Sequence, residues 1–267
     1  MMPPPDAVML DPLLYALDGD VATITFNRPD RLNALTFGMI DDLAAILDRV
    51  VEEGARCLLL TGNGRGFSTG ADLQEMDLDA FARDIGQMFV EQLNPAFEKL
   101  ANLPIPIVTA VNGPAAGAGC SLALYGDFVV AARSAYFYQS FANIGLVPDA
   151  GATWIIPRLI GLQRAGRMLL LGEKISAEQA CDWGMIHACV DDEELAGTAR
   201  ALADRLAKGA TTSYRLIRHG MRAALNQSFS ETLAMEGHDQ HAAAQTADFR
   251  EGVTAFLARR PPNFCGR

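Results

Sequence analysis

The feature that most constrains the fold is an alternation of strand-like and helix-like segments, followed after about residue 195 by helical spacing to the end. Residues 21–27, VATITFN, alternate apolar and polar side chains and include β-branched residues, as strands do. From Thr36 onward apolar residues recur at helical spacing, with Thr36 where an N-cap is expected. This order of elements predicts an α/β fold with a C-terminal helical region.

Further short apolar runs predict buried strands at residues 56–62, 106–113, 127–132 and 135–139. Ser176 and Gln179 stand three residues apart and predict a capping box at the start of a helix. We expect a core that spans residues 1–195 and a helical region that spans residues 196–267.

Composition narrows the possible partners. The chain has 267 residues, of which 50% are hydrophobic, and a net charge of −10 without a stripe of basic and aromatic residues, so nucleic acid is not expected as a partner. No apolar run approaches the roughly 18 residues that a membrane span needs, and the N-terminal residues do not resemble a signal peptide. Five scattered cysteines without CxxC spacing predict reduced thiols in a cytoplasmic protein.

Two glycine-rich stretches follow predicted strands: TGNGRGFSTG (61–70) and NGPAAGAGCSLA (112–123). Phe67 and Leu122 stand where a dinucleotide fingerprint requires its last glycine, and neither stretch contains the GK[ST] of a phosphate loop. Backbone N–H groups of two such turns, at Ala71 and at Ala118 or one of its neighbours, are able to form an oxyanion hole. The alternative is that both stretches are only tight turns.

The sequence disfavours a serine-hydrolase site and a metal site. GCSLA (119–123) falls one residue short of a nucleophile elbow around Ser121, and no flanking motif places any of the four histidines beside that serine. His238 and His241 are three residues apart on a predicted helix, the weakest form of a metal pair, and a solvated helix face is the better interpretation. We expect no metal.

Six segments, in order along the chain, resemble the enoyl-CoA hydratase/isomerase (crotonase) superfamily. They are NRPDRLNAL (27–35), GFSTGADL (66–73), AVNGPAAGAGCSLAL (110–124), IGLVPDAGATWIIPRLIG (144–161), SAEQACDWGMI (176–186) and DFREGVTAFLARRPPNFCGR (248–267). The resemblance implies a spiral of ββα units with a C-terminal helical trimerisation region, assembled as a homotrimer or a dimer of trimers. FLARRPPNF (256–264) would then lie at a subunit interface near the phosphates of coenzyme A, although a solvated terminal helix is equally compatible with its sequence.

The same resemblance implies an acyl-CoA substrate, with coenzyme A as part of the substrate and no separate cofactor. The thioester oxygen would lie between the N–H groups of Ala71 and Ala118. The residues that would contact coenzyme A are Arg28, Arg31, Leu32, Thr69, Asp72 and Leu73.

The chain departs from the hydratase pattern at the two glutamates that activate water in typical hydratases. Ser121 and Phe141 match those positions and are expected to line the acyl pocket instead. A phenylalanine transfers no proton, and a serine alone is a poor acid or base, so ordinary water addition is disfavoured.

The resemblance implies Asp149 as the acid/base, because its stretch most resembles ring-epoxide isomerases of phenylacetyl-CoA degradation, which also place an aspartate there. The alternative is an N-cap, since aspartate often starts a helix. Helix N–H groups would hold the carboxylate ionised, whereas apolar neighbours such as Phe141, Ile144 and Trp154 would raise its pKa.

These inferences together predict an acyl-CoA isomerase that acts through a thioester enolate on an unsaturated or ring-epoxidised aryl-acyl-CoA. Three alternatives remain open: a generic enoyl-CoA hydratase, a dehalogenase-like enzyme with Asp149 as nucleophile, and a non-catalytic acyl-CoA- or RNA-binding protein.

Overall fold

The computed structural model describes residues 12–74 and 78–267. Its strands are β1 Leu13–Asp18, β2 Val21–Phe26, β3 Cys57–Gly62, β4 Ile107–Val111, β5 Ala115–Ala116, β6 Phe128–Ala132, β7 Tyr136–Tyr138, β8 Ile175–Ser176 and β9 Ala188–Val190. The strands predicted from the apolar runs at residues 21–27, 56–62, 106–113, 127–132 and 135–139 are therefore confirmed.

A six-stranded sheet with the order β1-β2-β3-β4-β6-β9 forms the centre of the molecule. β1 pairs with β2 antiparallel, and every later neighbour in this sheet is parallel. β4 is buried along its whole length, as the unbroken apolar run IVTAV requires of a strand covered on both faces. A smaller sheet of order β5-β7-β8 stands beside the region where β4 ends.

The helices occupy the intervals between strands and most of the C-terminal part. They are α1 Phe37–Glu52, α2 Leu78–Met88, α3 Asn94–Ala101, α4 Ala118–Ala123, α5 Ala152–Leu169, α6 Ala177–Asp182, α7 Leu195–Ala207, α8 Thr211–Ala223, α9 Phe229–Ala244 and α10 Ala247–Leu257. A π-helical turn, Phe89–Leu93, joins α2 to α3, and a short 3-10 helix, Phe141–Ile144, precedes α5.

Two predicted helix starts can be compared with the structure. Thr36 caps α1, because its Oγ1 accepts a hydrogen bond from the Met39 N–H at 3.2 Å. Ser176 likewise caps α6 by accepting from the Gln179 N–H at 3.2 Å. That bond is the serine half of the predicted capping box. Both halves of a capping box occur instead at Ser228 and Glu231, at the start of α9.

The C-terminal part is helical from Leu195, as the spacing predicts, but its first helix joins the core. Leu195, Ala199, Ala203 and Leu206 of α7 are buried against the central sheet. α8 is attached by Arg218, whose Nε lies 2.6 Å from Asp127 Oδ2 in a buried ion pair. The division of the chain at residue 195 remains a prediction.

In the part of the chain that the structure describes, no helix has the length and apolar character needed to cross a bilayer.

Candidate active site

The two glycine-rich stretches meet because they leave the same edge of the central sheet. β3 and β4 are parallel neighbours, so the segments that follow Gly62 and Val111 emerge side by side. An isolated parallel bridge then pairs Ser68 with Ala115. The site therefore lies at the carboxyl ends of the strands, where open α/β sheets commonly place ligands.

Glycine is required at the closest contact between the two turns. Gly70 has a positive φ of 81°, and a Cβ there would lie 2.8 Å from the Ala116 carbonyl oxygen and 3.1 Å from the Ala118 nitrogen. A Cβ on Gly119 would lie only 2.4 Å from the Ser68 carbonyl oxygen. The absence of both side chains brings Ala71 and Ala118 into neighbouring positions.

The amides of Ala71 and Ala118 remain available for a ligand. The carbonyl of Gly70 accepts from the Leu35 N–H at 2.8 Å, and the Asp72 N–H donates to the Leu35 carbonyl at 2.9 Å, which fixes the backbone on both sides of Ala71. Ala118 is the first residue of α4, and the first N–H groups of a helix have no intrahelical acceptor. Within residues 12–74 and 78–267, no backbone acceptor is assigned to either amide.

Asp149 lies between the 3-10 helix Phe141–Ile144 and α5. The interpretation of Asp149 as an N-cap is wrong, because α5 starts at Ala152 and the cap position is Gly151, with no side-chain capping bond. The backbone rather than the side chain of Asp149 contacts the helix: its carbonyl accepts from the Ala152 N–H at 3.0 Å. The carboxyl group is thus not needed to start α5.

The carboxyl of Asp149 lies in a poorly hydrated position. Its Oδ1 atom is sealed from solvent and accepts no hydrogen bond from the described part of the chain. Burial raises the pKa of Asp149 from 3.8 to about 6, and a bond from its own backbone N–H offsets this effect only in part. Of the two opposing influences that the sequence left open, burial therefore dominates.

Ser121 connects Asp149 to the turn that carries Ala118. The Ser121 hydroxyl lies 3.3 Å from the Asp149 carbonyl oxygen and 3.5 Å from the Gly117 carbonyl oxygen, and it accepts a bond from Gln139 Nε2 at 3.3 Å. Ser121 is fully buried, which places it behind Asp149 and not on an open surface. None of its hydrogen-bond partners within the described ranges is a histidine, so the hydrolase arrangement does not form there.

Phe141 lies on the other side of the same turn. Its ring is 3.7 Å from the position that a Cβ on Gly117 would occupy, and the side chain is half-buried. An apolar ring thus lies beside the turn that presents the Ala118 amide.

The residues expected to contact coenzyme A come together on two adjoining loops. Arg28 pairs with Asp72 at 2.9 Å and also donates to the Ala34 carbonyl, while Arg31 is exposed and bonds Gln74. The Leu32 carbonyl accepts from the Thr69 N–H at 3.1 Å, and Leu73 is exposed. Their role toward coenzyme A stays a prediction.

Three buried polar residues at the site were not identified from the sequence. The Asn33 side chain donates to the carbonyls of Asn63 and Gly66 and so joins the two loops. Gln139 bonds Ser121, and the Tyr125 hydroxyl donates to the Ala150 carbonyl at 3.3 Å. Of these three, only Asn33 could have been noticed from its local sequence, because asparagine tolerates the positive φ of 57° found there.

The region that the structure describes contains no group of three or more His, Cys, Asp or Glu side chains able to hold a metal ion. His238 and His241 lie on α9, on its exposed side.

Known proteins resemble this chain in sequence and in fold. The family model described as enoyl-CoA hydratase/isomerase matches residues 17–267. The chain is 46% identical over 262 residues to the 1,2-epoxyphenylacetyl-CoA isomerase of Escherichia coli strain K12, an alignment that covers 97% of this chain and 100% of the relative. It is 43% identical over 253 residues to a Rhodobacter capsulatus protein named "probable enoyl-CoA hydratase", covering 95% and 97% of the two chains.

Among solved structures, a subunit of the enoyl-CoA hydratase of Geobacillus kaustophilus superposes with a TM-score of 0.89 at 34% identity, covering 96% of this chain and 98% of that one. The α/β crotonase-like fold expected from the sequence is therefore confirmed. Family match, relatives and fold agree over nearly the whole length, and the chain belongs to the enoyl-CoA hydratase/isomerase family of enzymes.

Proposed function

We propose that this enzyme isomerises an acyl-CoA thioester, with Asp149 as the group that removes and returns a proton. The observation that carries this proposal is the Asp149 carboxyl group, whose Oδ1 is buried without a partner in the described chain. Ser121 links the same residue to the turn that presents the Ala118 amide. Among the described residues this carboxyl group neither caps a helix nor pairs with a cation, which makes it a candidate for proton transfer.

The proposed reaction begins with the Asp149 carboxylate as base. It takes a proton from a carbon of the acyl group, and the electron pair of that C–H bond moves toward the thioester carbonyl. The resulting enolate oxygen accepts hydrogen bonds from the N–H groups of Ala71 and Ala118, each of which contributes about 3 kcal/mol in a dry site. The protonated Asp149 then returns the proton to a different carbon, so substrate and product have the same mass.

The side chains beside Asp149 favour isomerisation over hydration. Hydration needs groups that hold and activate water, and Phe141 and Ser121 occupy the positions where typical hydratases carry glutamates. Phe141 offers an apolar ring, and the Ser121 hydroxyl is fully buried against backbone carbonyls. A loss of well-placed acid–base groups lowers a rate by about 10²–10⁴.

The relatives and the half-buried ring of Phe141 support the proposed substrate class. We assign an unsaturated or ring-epoxidised aryl-acyl-CoA, in keeping with the isomerase named among the relatives. The loops that carry Arg28, Arg31 and Leu32 and that carry Thr69, Asp72 and Leu73 would bind its coenzyme A portion. No separate cofactor takes part in this reaction.

The test is to incubate the enzyme in D₂O with an acyl-CoA panel that includes crotonyl-CoA, a 3-enoyl-CoA and ring-epoxidised phenylacetyl-CoA. Products are separated by chromatography and weighed by mass spectrometry. We expect an isomer of at least one substrate, of unchanged composition apart from deuterium taken up at carbon. A product heavier by one water would instead identify a hydratase, free coenzyme A a thioester hydrolase, and tight binding without turnover a binding protein.

A further inference from the structure

The segment that presents Asp149 has an unusual backbone. Ala150 adopts a positive φ of 47° and Gly151 one of 76°, so two consecutive residues lie in the left-handed region. Glycine adopts this conformation readily, whereas alanine does so at a cost because its Cβ crowds the backbone. Ala150 is also buried, and the surrounding structure must therefore hold it in place.

The group that holds Ala150 is the hydroxyl of Tyr125. Tyr125 lies two residues beyond the end of α4, is buried, and donates from its hydroxyl to the Ala150 carbonyl at 3.3 Å. The same hydroxyl lies 3.0 Å from the position that a Cβ on Gly151 would occupy. The ring is fixed on its other side by Phe97, with 5.4 Å between ring centroids.

The Tyr125 hydroxyl stays protonated and is therefore a permanent hydrogen-bond donor. Burial raises the pKa of Tyr125 to about 12, so the phenol keeps its proton over the range in which an enzyme of this kind operates. A neutral phenol has one proton to donate, and the Ala150 carbonyl is the acceptor assigned to it within the described residues.

We infer that Tyr125 is a positioning residue, which acts through Ala150 to keep the Asp149 carboxyl in its partly desolvated place in the site. This inference rests on the proposed role of Asp149. One short segment of chain, residues 118–125, then carries both the Ala118 amide and the hydroxyl that fixes the proton-transfer group. Tyr125 itself contacts no reacting atom.

The test compares three variants on the isomerised substrate: Tyr125→Phe, Ala150→Gly and the double variant. Tyr125→Phe keeps the ring and removes the donor, and we expect kcat to fall roughly three- to tenfold with little change in KM. Because a freed segment exposes the carboxyl to water, the acid limb of the pH–rate profile should also move to lower pH. Glycine at position 150 accepts the left-handed conformation without help, so the loss caused by Tyr125→Phe should be smaller in the Ala150→Gly background.

Tyr15→Phe is the matched control, since it removes a hydroxyl bonded to Glu53 at 2.6 Å on the edge strand β1. It should leave kcat and the acid limb unchanged. All assays are run below the melting onset of the least stable variant, so that every protein compared is folded. Asp149→Asn is measured in the same series.

The possible outcomes separate the two proposals. An inactive Asp149→Asn beside a Tyr125→Phe variant with an unmoved acid limb, or with an equal loss in both backgrounds at position 150, would overturn the role of Tyr125 alone. An Asp149→Asn variant with normal turnover would overturn both.

Discussion

At the scale of the residue, the proposed mechanism depends on the carboxyl group of Asp149, whose chemistry is set by what surrounds it. An ordinary aspartate has a pKa near 3.8 and is a weak base at neutral pH. In the partly dry position between Phe141 and α5, burial raises the pKa of Asp149 to about 6. A base with a pKa near the working pH combines ionisation with a useful affinity for the proton.

The pH dependence of turnover follows from that value. The base must be ionised, so kcat/KM should fall tenfold per pH unit below about 6 and be level above it, for as long as the substrate is stable. The measurement is kcat/KM for isomerisation between about pH 4.5 and 8. An acid limb that begins only near pH 4 would mean that the active base is an ordinary solvated carboxylate.

The same raised pKa makes folding stability depend on pH in the direction opposite to turnover. A carboxyl group whose pKa is raised by folding favours the folded state in its protonated form, and this contribution is lost as the pH rises through about 6. Acidification from pH 7 to 5 should therefore lower turnover, while the contribution of Asp149 to the folding free energy becomes more favourable. Loss of activity in this range is then distinguishable from acid unfolding.

The sequence identified Asp149 but not its surroundings. A lone carboxylate in an apolar stretch stands out without any structure, and the resemblance to a family supplied a role for it. Those surroundings could not be read in the same way, because Tyr125 bonds the Ala150 carbonyl and Gln139 bonds Ser121, and each bond joins residues far apart in the chain. Polar residues of this kind inside apolar runs look like ordinary core residues.

At the scale of the element, the site is made by the contact between α4 and the loop that follows β3. The two Ala amides are brought together only because Gly70 and Gly119 present no side chains at this contact. The contact is a packed interface between backbones, so it has little room to adjust.

Gly119→Ala tests this contact. A Cβ there would lie 2.4 Å from the Ser68 carbonyl oxygen, so the loop that carries Ala71 must move away from α4. We expect a loss of about 1–3 kcal/mol in the free energy of unfolding, together with a large fall in kcat as the two amides separate. Chemical denaturation and steady-state kinetics provide the two measurements.

Gly197→Ala is the matched control, because Gly197 is a helical glycine of α7 with no atom within 4 Å of the added Cβ. It should leave both properties nearly unchanged. If Gly119→Ala behaved like this control, the close approach of the two turns would not be needed for catalysis.

Strongly patterned elements were predictable, and irregular ones were not. β2, β3, β4 and α1 follow from alternating or helical apolar spacing, which a single sequence displays directly. The two-residue strands β5 and β8 depend on pairing with β7. Their local sequences alone do not distinguish them from loops.

At the scale of the whole molecule, the described C-terminal helices leave apolar side chains uncovered. Phe256 and Leu257 of α10 are 82% and 76% exposed, and they border a groove that Phe249 and Phe264 also line. Arg259 and Arg260 follow these side chains, but Arg260 already pairs with Glu251 at 2.6 Å. Apolar contact is therefore the stronger reason to expect assembly through this end.

We expect a homotrimer or a dimer of trimers, with a mass in solution of three or six times the 28.7 kDa chain. Light scattering at micromolar concentration measures it directly. Phe256→Asp combined with Leu257→Asp should weaken the assembly, whereas Val51→Asp, at an exposed position of α1, should not. A monomeric wild-type protein at that concentration would contradict the expectation.

The most direct test of the proposed function is Asp149→Asn, in which the side chain keeps its shape and loses its basicity. No capping bond is lost, because the carboxyl does not cap α5, so the melting temperature should not fall. Asp42→Asn, at an exposed position of α1, is the control for the same chemical change outside the site. The decisive measurement is the single-turnover isomerisation rate, taken beside a thermal melt and a calorimetric titration with acyl-CoA. We predict a folded Asp149→Asn protein that binds acyl-CoA through the backbone amides and isomerises it at least ~10²-fold more slowly than the Asp42→Asn control. A folded Asp149→Asn protein that turns over as fast as that control would contradict the role assigned to Asp149.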